Sequence, residues 1–163
     1  MKLPNWLDSI NQQVGRLLRW CVLAMVLIQF GIVLLRYVFS YSNIALGESV
    51  LYLHAAVLML GAGYTLMIDG HVRVDIFYSK LSEKAKAKID IFGHLALLIP
   101  SMLVLLIWSW PSVRNSWAIL EGPISVGGIP ATFVLKSFIS LFCILLIIQS
   151  ASCLLRNLIK LGK

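Results

Sequence analysis

The sequence predicts an all-α integral membrane protein with four transmembrane helices. Of its 163 residues, 60% are hydrophobic and only 13% are charged, whereas a soluble domain has about 25% charged residues. The hydrophobic residues are concentrated in four runs. Each run is long enough to cross a hydrocarbon core of about 30 Å as a helix that rises about 1.5 Å per residue. The spans are predicted at about residues 17–38, 49–68, 89–110 and 131–155.

The four spans form a predicted membrane domain, residues 17–157, with an N-terminal interfacial segment, 1–16, before it and a basic tail, 158–163, after it. Apolar residues of the N-terminal segment recur at steps of three and four, as on one helix face. The segment is either a helix lying along the inner membrane surface or a solvated tail that becomes helical only near the membrane. The first span is predicted to remain uncleaved, because Arg36 separates its apolar run from the small-residue site that follows.

Glu48 opens the predicted second span. Its carboxylate can interact with the positive end of the helix dipole, or more specifically it can pair with Arg36 across the short loop. Gly61 and Gly63 lie in the middle of the span, where small residues allow another helix to approach closely in lipid. Both glycines are therefore predicted to be helix-packing positions.

A polar corner at residues 69–75 separates the second and third spans. Gly70 suits a helix stop, because the residue after a helix often needs a left-handed backbone that glycine adopts at low cost. Asp75 suits the N-cap of a short interfacial helix, since its carboxylate can accept free backbone N–H groups. His71 and Arg73 are predicted to fix the corner by hydrogen bonds or ion pairs.

The third and fourth spans carry local start and kink signals. Ser82 is a predicted N-cap, and Pro100 is predicted to kink the third span or open its hydrogen-bond ladder. Residues 111–120 either continue this helix or bend along the outer surface. Pro130 suits the first position of the fourth span. Lys136, inside that span, either extends towards the interface or pairs with an acid such as Glu121.

Basic residues predict the orientation. Of the 14 bases, 11 fall in the N-terminus, the middle loop and the C-terminus, and 3 fall on the opposite side. Positive residues concentrate on the cytoplasmic side of membrane proteins, so both termini are predicted to be cytoplasmic. The bases flank apolar runs and form no groove-sized patch, which excludes nucleic acid as an expected partner and leaves membrane lipids.

The sequence shows no catalytic constellation, and we expect no catalysis, metal site or cofactor. His54 and His94 suggest a bis-histidine haem, but their predicted depths differ by about 13 Å at 1.5 Å per residue. Hydrogen bonds to neighbouring helices are the better interpretation of these histidines. The three cysteines lie within or beside apolar runs at no metal-binding spacing, so they are expected to be small apolar side chains.

The chain resembles the small membrane subunit, the DctQ-like or Q subunit, of tripartite ATP-independent periplasmic (TRAP) transporters, over roughly residues 15–157. The features that carry the resemblance are Arg36-Tyr37-Val38-Phe39 ending span one, Glu48 opening span two, the patch Gly61-Ala62-Gly63-Tyr64, the corner Gly70-His71-Val72-Arg73-Val74-Asp75, and Pro130 and Lys136 at the start of span four. Each motif is short, and their order and spacing together are specific.

The resemblance implies two partners in a bacterial inner membrane: a large permease subunit that carries the transport pathway, and a periplasmic solute-binding protein. It also implies sodium-driven symport of an organic anion, with this chain as a non-catalytic support. The polar residues expected to help dock the binding protein at the outer face are Arg36, Glu48, Arg114, Glu121 and Lys136. Two other interpretations stay open: a haem-bearing membrane anchor of a respiratory enzyme, and a membrane structural protein without a transport role.

Overall fold

The computed structural model describes residues 2–71 and 81–161, and within them every regular element is helical. The elements are α1 (Lys2–Phe39), α2 (Ile44–Met67), α3 (Glu83–Phe92), a π-helical segment (Gly93–Leu98), α4 (Ile99–Ala118) and α5 (Thr132–Leu161). Four helical rods are long and apolar enough to cross a membrane: Asn5–Phe39, Ile44–Met67, Glu83–Ala118 and Thr132–Ile159. The predicted all-α fold with four spans is confirmed.

Helix α1 is unbroken from Lys2 to Phe39. Residues 2–16 of the segment predicted to lie before the first span are therefore continuous with that span. Asn11 has no exposed surface, and Leu18 is also buried, so this part of the helix packs inside the bundle on one side. Trp6 lies on the exposed side.

Helix α2 begins and ends differently from the prediction. Asn43 is its N-cap, with the side-chain oxygen accepting from the Leu46 N–H at 3.3 Å. The helix therefore starts five residues before the predicted boundary, and Glu48 lies one turn inside it. This corrects the expectation that Glu48 opens the helix and meets its dipole, because that effect is confined to the first turn.

At the other end of α2, the residue with left-handed backbone is Asp69, at φ +55°, and not Gly70 as predicted. The N–H of Gly70 donates to the Thr65 carbonyl at 2.8 Å, and the N–H of Asp69 donates to the Leu66 carbonyl at 3.3 Å. This is the Schellman pattern of helix termination. Aspartate is one of the few residues that enters the left-handed region readily, so the corner forms one residue earlier than expected.

The third rod follows its sequence signals. Ser82 is the N-cap of α3, with Oγ accepting from the Ala85 N–H at 3.3 Å, as predicted. The predicted opening of the ladder near Pro100 is confirmed: the π-helical segment precedes it, and the Ile99 N–H donates to the carbonyl of His94, five residues back. Proline has no N–H and clashes with the preceding turn, which the wider π turns accommodate. The rod then continues as a helix to Ala118.

Helix α5 is the centre of the bundle. It packs against α1, α2, α3, the π segment and α4, and α1 and α2 also pack against each other. Half of the buried residues in the described part of the chain belong to α5: Thr132, Ser140, Cys143, Leu145, Leu146, Gln149, Ser150, Ser152 and Asn157. Many of them are small or polar, so the core combines close helix contacts with hydrogen bonds. Pro130 lies two residues before α5 and does not occupy its first position, which corrects the prediction.

Candidate functional site

The bundle has two polar ends. The loop end carries the α1–α2 connection, residues 40–43, and the α4–α5 connection, residues 119–131. The terminal end carries the first turns of α1 and the last turns of α5. Between them the spans have no charged residue at mid-depth, so candidate functional groups are found at these two ends.

At the loop end, Glu48 connects α2 to the loop before α5. Its carboxylate accepts from the Ser125 N–H at 3.0 Å and from the Ile129 N–H at 2.7 Å. Only 7% of Glu48 is exposed. A buried carboxylate is stable in a fold when hydrogen bonds compensate its lost hydration, and here two backbone donors do so. Within the described residues Glu48 does not pair with Arg36, so the expected ion pair is wrong.

Two glycines let the loop approach this carboxylate. A Cβ atom at Gly128 would overlap the Glu48 carboxylate, so a larger residue would displace either the loop or the acid. Gly127 has φ +83°, a conformation that glycine adopts without steric cost. The loop therefore has a defined shape, and its tip presents Val126 with 94% of its surface exposed.

A second cluster at the loop end joins α4 to α5. Leu120 has left-handed backbone, φ +45°, and this turn directs Glu121 towards α5. The Lys136 ammonium donates to Glu121 Oε2 at 2.6 Å, and the Ser116 hydroxyl donates to the same oxygen at 2.5 Å. Both bonds favour the ionised carboxylate, so Lys136 first and Ser116 second lower the pKa of Glu121 below its ordinary value. Of the two interpretations offered for Lys136, the structure contains the ion pair with Glu121.

Aromatic contacts reinforce this junction. The Trp117 indole N–H donates to Ser137 Oγ at 2.8 Å. The Trp117 and Phe133 rings meet edge to face with centroids 4.6 Å apart, a favoured aromatic geometry. By contrast, Arg36 at the end of α1 and Arg114 near the end of α4 are exposed.

The terminal end contains a polar network that the sequence reasoning missed. Asp8 on α1 accepts from Gln149 Nε2 at 3.0 Å and from Ser152 Oγ at 2.7 Å, and it forms an ion pair with Arg156. Asn11 donates to Gln149 Oε1 at 2.9 Å. The partners are more than 130 residues apart in sequence. The available signal was Gln149 and Ser152 within the apolar fourth span, since polar side chains in membrane helices hydrogen-bond across helices.

Close packing accompanies this network. A Cβ at Gly63 would overlap the Asn11 side-chain oxygen and lie 3.2 Å from Leu145 Cβ. A Cβ at Gly61 would lie 3.5 Å from Leu18 Cδ1, an ordinary contact. Gly63 is thus a tight contact between α2, α1 and α5, whereas Gly61 has room for a methyl group.

Gly15 on α1 was not predicted as a packing position. A Cβ there would come within 2.5 Å of the Tyr64 ring, so α1 and α2 meet closely at this point too. The two glycines of α2 were predicted from the sequence, and Gly15 on α1 was not.

The remaining residues singled out from the sequence are the two histidines and those of the polar corner. His94 Nδ1 lies 3.0 Å from Ser150 Oγ, which is the expected hydrogen bond to a neighbouring helix. His54 is exposed on α2. The described residues contain no group of three or more metal-ligating side chains. Gly70 and His71 are exposed at the corner, and two further predicted corner residues, Arg73 and Asp75, lie outside the described residues.

The fold and its two polar ends define a multi-pass, all-α membrane protein that has charged groups at the ends of its spans and none at mid-depth. A family model described as "Tripartite ATP-independent periplasmic transporters, DctQ component" matches residues 16–160. The chain belongs to this family, which comprises the small permease component of TRAP transporters, in agreement with the sequence resemblance. Comparisons with curated proteins and with solved structures give no match.

Proposed function

We propose that this chain is the non-catalytic small permease subunit of a TRAP transporter in a bacterial inner membrane. In this role it supports a large permease subunit during sodium-driven, binding-protein-dependent uptake of an organic anion. The family match over residues 16–160 is the observation that carries the proposal. Four apolar rods suited to a membrane agree with it.

The arrangement of polar groups favours a supporting role. A pathway for a charged solute needs ionisable or hydrogen-bonding groups that face a cavity along the interior of the spans. In this chain the buried polar groups of the terminal end bond to one another, as Asn11 does to Gln149 and Gln149 does to Asp8. These groups hold helices together, and the transport pathway is therefore assigned to the partner subunit.

The excess of bases at the opposite end supports a periplasmic position for the loop end, where it would face the solute-binding protein. Of the five polar residues expected at this face, Glu48, Glu121 and Lys136 have partners within the chain. These three residues shape the surface. Arg36 and Arg114 are exposed and have no bonding partner within the described residues. We assign the direct docking contact to Arg114, whose charge attracts an acidic patch on the binding protein.

Reconstitution in liposomes with a sodium gradient and the binding protein tests the proposal. The pair of membrane subunits should transport solute, this chain alone should transport none, and the permease alone should be inactive or much weaker. Arg114→Glu should reduce uptake while the two subunits still copurify, and Lys84→Glu, an exposed change on the opposite side, should leave uptake unchanged. Solute transport by this chain alone, or equal effects of the two reversals, would contradict the assigned role.

A further inference from the structure

One exposed face of α1 combines valines with polar residues. It consists of Arg19, Val22, Val26, Gln29, Val33 and Arg36, and we call it the valine face. We propose that a helix of the large permease subunit packs against this face. The proposal rests on the proposed function and names the surface through which the subunit acts.

The valine face is a continuous stripe of the helix. Its members are spaced by three or four residues, so they lie on one side of α1, and all are exposed. A second exposed stripe lies beside it and consists of Trp20, Leu23, Leu27, Phe30 and Leu34. We call it the leucine face. Its large apolar side chains suit contact with lipid tails, so the two stripes divide the outer surface of α1 into chemically distinct halves.

Gln29 is the residue that most requires a protein partner. It lies ten residues from the end of α1 at Phe39, which is about 15 Å along the helix and close to the middle of a hydrocarbon core of about 30 Å. The residue is exposed on the outside of the bundle. Lipid tails offer no hydrogen-bond partner there, whereas polar side chains in membrane helices characteristically bond across helix interfaces.

His54 gives the same indication on the neighbouring helix. It lies ten residues from the start of α2 at Ile44, and therefore at about the same depth as Gln29. His54 is also exposed. By comparison, the large exposed residues in the middle of α5 are Leu141 and Ile144, both apolar. In the third rod Ser101 is exposed near mid-depth, and its hydroxyl donates to the Leu97 and Leu98 carbonyls of its own helix. Gln29 and His54 make no such bond within the described residues, so the partner is expected on the α1–α2 side of the bundle.

Side-chain shape and charge identify the partner as a different chain. The three valines are stiff at χ1 and lose little freedom on packing, so they offer a low, rigid surface to another helix. Two copies of this chain in one membrane share the same orientation, and if their valine faces met, Arg36 would face Arg36 and Arg19 would face Arg19. Like charges at both ends of the contact oppose such a dimer. A permease helix complements the valine face if it carries hydrogen-bond acceptors for the two arginines near its ends. It must also carry a hydrogen-bonding side chain for Gln29 at mid-depth.

Photo-crosslinking in the assembled complex tests the proposal with a matched pair of positions. Val26 and Leu27 are neighbours in sequence and belong to different faces. A photoreactive side chain at Val26 should give an adduct with the large permease subunit, and one at Leu27 should give lipid adducts. Adducts between two copies from Val26, permease adducts mainly from Leu27, or no permease adduct from Val26 in a complex that copurifies would each overturn the proposal.

A substitution at Gln29 adds an independent measurement. Gln29→Leu should lower the recovery of the permease with this chain by about threefold to thirtyfold, the range expected for loss of one interhelical hydrogen bond in a membrane. Leu27→Met should leave recovery unchanged, and unchanged recovery with Gln29→Leu would contradict the role of its amide. If the unaltered chain fails to copurify with the permease, the proposed function itself fails. Copurification with crosslinks on the other face rejects only the assignment of the surface.

Discussion

The contact of Gly63 with Asn11 and Leu145 leads to a sharp test of how the helices pack. We consider Gly63→Ala with Gly61→Ala as its control, since both glycines lie in α2 only two residues apart. At Gly63 the added methyl group overlaps the Asn11 side-chain oxygen and lies 3.2 Å from Leu145 Cβ. At Gly61 the methyl group meets only Leu18 Cδ1, at 3.5 Å. Both variants add one methyl group. In Gly63→Ala it enters a tight contact, and in Gly61→Ala it enters a position with room for it.

The two variants are expected to change the free energy of unfolding in opposite directions. Overpacking at Gly63 costs about 1–3 kcal/mol, and alanine returns about 0.5–1 kcal/mol because it is the better helix former. If Asn11 is forced away from Gln149 Oε1, now 2.9 Å distant, the broken hydrogen bond costs about 1–3 kcal/mol more. With the bond broken, the net loss for Gly63→Ala is about 1–5 kcal/mol, whereas Gly61→Ala should be neutral or more stable by up to about 1 kcal/mol.

Thermal unfolding of the purified protein in detergent measures this difference. A protein of this size shifts its Tm by about 2–4 °C per kcal/mol, so Gly63→Ala should lower Tm by several degrees and Gly61→Ala should not. Adding Asn11→Ala to Gly63→Ala should cost less than the sum of the single changes, because the overlapping atom is gone. Equal Tm values for the two glycine variants would refute the packing argument.

Three further outcomes follow from the loop end and the predicted topology. Glu48→Ala should speed protease cleavage of the α4–α5 loop, because two backbone N–H groups lose their acceptor; an unchanged cleavage rate would contradict the anchoring role. The lowered pKa of Glu121 means that its ion pair with Lys136 adds stability at neutral pH, which is lost as pH falls from the ordinary glutamate pKa through the lowered folded value; Glu121→Gln should remove this part of the acid dependence of Tm. In intact cells lacking the native cysteines, Ser42→Cys should react with an impermeant reagent and Ser82→Cys should not, and labelling at Ser82→Cys would reverse the orientation.

Local patterns in the sequence were sufficient for the helices and several of their boundaries. Four apolar runs predict four spans because each run must satisfy its own backbone in lipid, and the structure has the corresponding rods. Ser82 and Pro100 act through neighbours within a few residues, so the cap and the opened ladder could be predicted. The resemblance to the TRAP small subunit also rests on ordered local motifs, and the family match agrees with it.

The partners of the polar side chains were decided only by the tertiary structure. Glu48 was expected to meet its own helix dipole or Arg36, and it instead accepts from Ser125 and Ile129 on a distant loop. The apolar spacing of α1 and α5 gives no indication that Asn11 and Gln149 meet. The spacing of apolar residues predicts in which direction a side chain points from its own helix. The order of the helices and the rotation of each about its axis depend on how all of them pack around α5. A hydrogen bond across more than 130 residues therefore becomes visible only when that packing is known.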